Sequence, residues 1–128
     1  MFRPMERKTG VIVFTHGSRL AAGNEIMVKL VDQLRARLGY EYVEPCFMEL
    51  AEPSMYDAIH NLVARGCNHI FGYAFFLVPG KHLREDIPAI FRCALDGHPE
   101  VTWEITEPMM EDPALLEMVT HRIEKALV

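Results

Sequence analysis

The chain has 128 residues, half of them apolar and about a quarter charged, with a formal charge of −5; this size and balance suit one soluble domain with one hydrophobic core. An acidic chain excludes general nucleic-acid binding, which needs a basic face, and without a long apolar run or a charged-then-apolar leader the expected setting is cytoplasmic, not membrane or secreted. Cys46, Cys67 and Cys93 are odd in number, far apart and set among apolar residues, which excludes a disulfide framework or thiolate zinc site and predicts three buried thiols.

After a polar lead-in, Gly10-Val11-Ile12-Val13-Phe14 is apolar on both faces, as a buried parallel strand requires. Gly23 and Asn24 offer a helix start, and Met27, Leu30, Val31, Leu34 and Leu38 repeat at helical spacing until Gly39. Residues 42–48 read as a second strand that Pro45 assigns to an edge. Ser54 and Asp57 resemble a capping box ahead of the stripe Met55, Ala58, Ile59, Leu62 and Val63. Residues 69–74 form a third strand, and Asp86 with Pro88 opens a third helix that turns Ile87, Ile90, Phe91, Ala94 and Leu95 inward. Residues 101–105 alternate like a half-exposed fourth strand, and Asp112-Pro113 starts a last helix carrying Leu116, Val119, Ile123 and Leu127.

Four strand–helix units predict an α/β fold: one domain over residues 1–128, with a four-stranded parallel sheet, helices on both faces and right-handed crossovers. A central first strand gives the order 2-1-3-4. The chain then changes direction between strands 1 and 3, and the loops after them open a crevice.

Chemistry-bearing residues fall in those loops. Thr15-His16-Gly17-Ser18-Arg19 follows the first strand, Glu49 sits just past the second, and Pro79-Gly80-Lys81-His82-Leu83-Arg84 follows the third. A Pro-Gly turn holds its backbone stiffly, so His82 can be aimed. Two imidazoles and a carboxylate suit a borderline divalent metal such as Co²⁺, Ni²⁺, Fe²⁺ or Zn²⁺ with positions left open. They also exchange protons near neutral pH, and spacing alone does not separate the two roles. A histidine nucleophile for phosphoryl transfer fits less well, because Thr15 stands where an arginine is wanted. His60 and His98 read as solvent-facing, and His69 and His121 as structural.

The segments Thr15-His16-Gly17-Ser18-Arg19, Phe47-Met48-Glu49-Leu50-Ala51-Glu52-Pro53-Ser54, Phe76-Leu77-Val78-Pro79-Gly80-Lys81-His82 and Asp86-Ile87-Pro88 resemble the small single-domain sirohydrochlorin chelatases of the CbiX type, class II chelatases related to the ferrochelatases. The resemblance implies ATP-independent insertion of a divalent metal into sirohydrochlorin, on the way to cobalamin, sirohaem or a nickel tetrapyrrole. Cobalt is the first expectation and nickel or iron the next, with the metal as substrate and no organic cofactor. It also implies that His16 and His82 bind metal and accept protons, that Glu49 is the active-site carboxylate, and that the chain forms a homodimer. Arg19, Lys81 and Arg84 could meet the carboxylates of the substrate. Phe75, Phe76, Leu77, Met109 and Met110 are available to wall its macrocycle. A metallochaperone or tetrapyrrole carrier without turnover is the alternative. Two stretches depart from the family pattern: Gly72-Tyr73-Ala74-Phe75 lacks an expected proline, and the Met109-Met110 loop replaces a Leu-Gly with acids and methionines.

Overall fold

The strand richest in β-branched residues, β1 (Thr9–Thr15), lies inside the sheet and pairs on both sides. The computed structural model describes residues 6–78 and 80–128, apart from the side chains of His82 and Leu83. Along the chain follow α1 (Ala21–Leu38), β2 (Val43–Phe47), α2 (Met55–Ala64), β3 (His69–Ala74), a wide helical turn (His82–Asp86), α3 (Ile87–Ala94), β4 (Thr102–Ile105), a 3-10 turn (Met109–Glu111) and α4 (Pro113–Leu127). All pairings are parallel and the order is β2-β1-β3-β4, as the sequence predicts. Pro45, opposite Val13, sits on the edge strand β2, where a missing N–H can face outward at no cost to the ladder.

Strand alternation sends Ile12 and Phe14 to one face and Val11 and Val13 to the other. On the first face α2 and α3 close the larger core, with Met55, Ile59, Leu62, Ile87 and Phe91 all essentially inaccessible. Phe91 stacks on Trp103 at 4.8 Å. On the second face α1 packs Met27 and Val31 against Val13, Val43 and Phe47. No helix among the described residues is long and apolar enough to cross a membrane.

Four local expectations change. α1 begins at Ala21, not at Gly23, and Asn24 lies within its first turns, where it clasps the preceding loop: its amide accepts from the Ser18 N–H at 2.9 Å and donates to the Ser18 C=O at 2.8 Å. Asp86 is itself helical (φ −73°, ψ −41°) and caps nothing with its side chain. Pro88 has no N–H to give and its ring crowds the preceding turn, so the helix enters through the wide turn His82–Asp86. Of the three thiols, Cys46 and Cys67 are buried but Cys93 is exposed, because it projects from the outer side of α3. Finally, α4 buries none of its residues, so its apolar stripe faces outward.

Burial pushes the Cys46 and Cys67 thiols above their ordinary pKa, Cys46 the further of the two, which keeps them protonated and unreactive. A disulfide reagent such as DTNB should therefore titrate one thiol per native chain, lost in Cys93→Ser, and three only after denaturation. Phe91→Ala should lower the urea unfolding free energy by about 3–5 kcal/mol, as expected for deleting a fully buried ring.

Candidate functional site

The ladder between β1 and β2 does not stop where the strands do. Met48 N–H donates to Thr15 C=O at 2.9 Å and Glu49 N–H to His16 C=O at 3.0 Å, so the two loops leave the sheet side by side. This brings His16 Nε2 to 3.3 Å from Glu49 Oε1. The approach demands glycine at position 17, whose φ is +103° and where a β-carbon would lie 1.8 Å from the Glu49 carbonyl oxygen. Leu50 next to it takes a left-handed conformation (φ 67°), which for a non-glycine residue costs about 1–2 kcal/mol. Ser54 then caps α2, its Oγ accepting from Asp57 N–H at 3.1 Å, as the spacing predicts.

The His16 ring rests edge-on to Phe76 (6.5 Å between centroids), and Phe76 in turn to Phe14 at 6.0 Å. Phe76 is thus a floor that links the histidine to the core. The pair remains open above: the His16 side chain is 42% and the Glu49 side chain 59% accessible, enough for a ligand to reach both. At the same end of the sheet stand exposed apolar residues, each beyond the C-terminal end of a strand: Leu20 after β1, Leu50 after β2, Leu77 and Val78 after β3, and Met110 after β4. Such a rim is unusual for exposed loops and suits a flat apolar ligand.

The other predicted residues lie on loops at the same end of the sheet. Arg19, Lys81 and Arg84 are all exposed, on the loops following β1 and β3. Arg84 N–H closes a turn onto Gly80 C=O at 3.1 Å. The backbone of His82 opens the wide turn after β3, while its side chain, like Pro79, lies outside the described residues. Among the described residues no three His, Cys, Asp or Glu form a metal-binding group.

Two wall residues fall elsewhere. Phe75 alternates with Phe76 and lines an apolar groove on the α1 face with Tyr73 and Leu34. Met109 lines a cleft of about 410 Å³ with Tyr73, Thr106 and Glu107, in which neither His16 nor Glu49 takes part. Its link to the site is the bond from its N–H to Phe76 C=O at 2.9 Å, beside Met110 N–H to Leu77 C=O at 3.0 Å. Sequence reasoning missed Leu20 and Leu50, each an apolar residue in a polar loop, and Val78, which continues the apolar run Phe75-Phe76-Leu77. The remaining histidines do other work. His60 is exposed and meets Ala94 C=O at 2.9 Å, His98 pairs with Glu100 at 3.5 Å, His121 is exposed on α4, and His69 is buried between Thr102 Oγ1 (2.6 Å) and Glu104 Oε2 (2.9 Å).

A family model described as CbiX matches residues 10–126. The chloroplastic sirohydrochlorin ferrochelatase of Arabidopsis thaliana is 36% identical over 118 residues, or 92% of this chain and 52% of that protein, so the chain spans about half the length of this relative. The sirohydrochlorin cobaltochelatase of Methanothermobacter thermautotrophicus is 33% identical over 137 residues, with 94% of each chain covered. SirB from Bacillus subtilis with Fe³⁺ superposes with a TM-score of 0.86 at 24% identity, over 94% of this chain and 48% of that one, a likeness of fold.

Gly17→Ala should separate the two loops. The expected result is a loss of about 1–3 kcal/mol in urea unfolding, as for other strained backbone positions, with NMR shifts confined to His16, Glu49 and their neighbours.

Proposed function

The chain belongs to the CbiX family, and from that footing we propose that it is a metal chelatase that inserts a divalent metal into sirohydrochlorin. The observation that carries the reading is the His16–Glu49 pair, 3.3 Å apart, at the C-terminal ends of adjacent parallel strands within an open apolar rim. Insertion exchanges two pyrrole N–H protons for one M²⁺. A site for it has to hold a cation loosely and take up two protons.

His16 supplies a neutral imidazole as ligand and, once the metal moves to the macrocycle, a proton acceptor. Glu49 lies within reach of the same ring nitrogen and opens to solvent, so a proton taken by His16 can pass through the carboxylate to water. His82, on the segment that follows β3, is the second imidazole. Fewer than four protein ligands leave positions for the pyrrole nitrogens, whereas a closed four-ligand site would retain the metal. Leu50, Leu77 and Val78 lie against the apolar plane. Arg19, Lys81 and Arg84 meet its carboxylates, supplying positive charge locally in a chain whose formal charge is −5. Cobalt and iron are the metals of the named relatives, and cobalt, iron and nickel are the ones to compare. The working form is a two-fold homodimer.

The test is an anaerobic absorbance assay with sirohydrochlorin and Co²⁺, Fe²⁺ or Ni²⁺ in turn. His16→Ala should lower turnover by about 10²–10⁴-fold, the usual range for losing an acid–base group. Glu49→Gln should reduce kcat by about 100-fold while the metal dissociation constant stays within about tenfold. Binding of metal or tetrapyrrole with no acceleration over the spontaneous rate would instead make the protein a carrier. Arg84→Ala should raise KM for sirohydrochlorin with kcat nearly unchanged, the pattern of lost uniform binding; a fall in kcat alone would remove Arg84 from substrate binding.

A further inference from the structure

His16 is fixed on its N-terminal side, where the β1–β2 ladder ends and its C=O accepts from Glu49 N–H at 3.0 Å. On its C-terminal side comes Gly17, at φ +103°, and glycine is the residue that leaves any one backbone conformation most readily. The imidazole therefore stays beside Glu49 only if the chain is fastened again just beyond Gly17.

The fastening is at Ser18. Both of its backbone polar groups go to one side chain: Asn24 Oδ1 accepts from Ser18 N–H at 2.9 Å, and Asn24 Nδ2 donates to Ser18 C=O at 2.8 Å. Among short side chains only asparagine carries a carbonyl acceptor and an N–H donor in one fork, and Ser18 uses both. Asn24 is the fourth residue of α1 (Ala21–Leu38), where helix propensity does not favour asparagine. The helix start is otherwise plain. Leu20 occupies the capping position without a side-chain bond, and Ala21, Ala22 and Gly23 follow. Arg19 has separate support, since Ser18 Oγ accepts from Leu20 N–H at 3.1 Å and closes a turn around it.

We propose that Asn24 is a positioning residue for the site: by clasping both backbone groups of Ser18, it holds Gly17 against the Glu49 carbonyl and so keeps the His16 imidazole beside the Glu49 carboxylate. The inference rests on the chelatase reading above and adds to it a residue that works through His16 and not on the substrate. His16 and Glu49 meet at 3.3 Å from two separate loops, and misplacing a reacting group by about 1 Å can lower a rate on the order of 100-fold. Without the clasp Gly17 is free to turn, and the His16 carbonyl leaves the Glu49 N–H.

Replacement by aspartate separates this role from a merely structural one. Asn24→Asp keeps the acceptor for Ser18 N–H and places a negative charge in the first turns of a helix, which favours α1. It has no donor for Ser18 C=O, however, and repels that oxygen. The urea unfolding midpoint should therefore hold or rise, while kcat for metal insertion falls about 10–100-fold and KM for sirohydrochlorin stays within about twofold. Added to His16→Ala, the same change should alter turnover less than about twofold, because both act through one imidazole. Unchanged kcat in Asn24→Asp, or an equal loss with and without His16, overturns the proposal. The imidazole NMR signals of His16 read the clasp without turnover: Asn24→Asp and Asn24→Ala should both shift them and leave those of His69 and His98 in place. A native chain that does not accelerate insertion overturns the chelatase reading alone. His16 signals that stay unmoved overturn the positioning whether or not the chain turns over.

Discussion

Two backbone hydrogen bonds, Met48 N–H to Thr15 C=O and Glu49 N–H to His16 C=O, carry the β1–β2 ladder one step beyond the sheet, and the site depends on them. They place an imidazole and a carboxylate from positions 33 residues apart in the chain side by side without a dedicated scaffold. Their cost is local. The loops come so close that only glycine fits at position 17, and Leu50 is held left-handed. Such strain persists where surrounding structure over-determines it, and here the buried Phe47 on one side and the capped start of α2 on the other do so.

The chain also contains a buried imidazole–carboxylate pair, and the contrast separates a site from a brace. His69 and Glu104 meet at 2.9 Å, closer than His16 and Glu49, but the His69 side chain is 5% accessible and its other ring nitrogen is engaged by Thr102. Both nitrogens are spent on joining β3 to β4, so nothing is left for a ligand. His16 stands open at the mouth of the crevice. Exposure and position at the strand ends, not the length of the contact, mark the chemistry.

The loops around the site are tied to one another and to the uncovered part of the fold. Phe76 supports the His16 ring with its side chain and, through its carbonyl, holds the 3-10 turn from which α4 departs. The direction of α4 is therefore set at the rim of the site. A parallel sheet leaves few polar groups to hydrate its faces, which is why the bare aromatic row on β3 calls for a cover as strongly as the buried face does.

The sequence by itself determined the strands and their order, the edge position of β2, the His16, Glu49 and His82 loops, the caps at Ser54 and Asp112, and the family. Each follows from local signals: apolar runs, a proline in a strand, turn residues, and side-chain types at fixed spacing. What only the tertiary structure decided are matters of neighbours across the chain. The alternation of Phe75 and Phe76 gave one ring to the groove and the other to the site. Pro88 replaced an Asp86 cap with a wide turn, Cys93 faced outward, and α4 kept its stripe in the open. An apolar stripe tells that a helix will be covered. What covers it depends on which surfaces the rest of the fold leaves bare, and that is settled only when the layers are assembled.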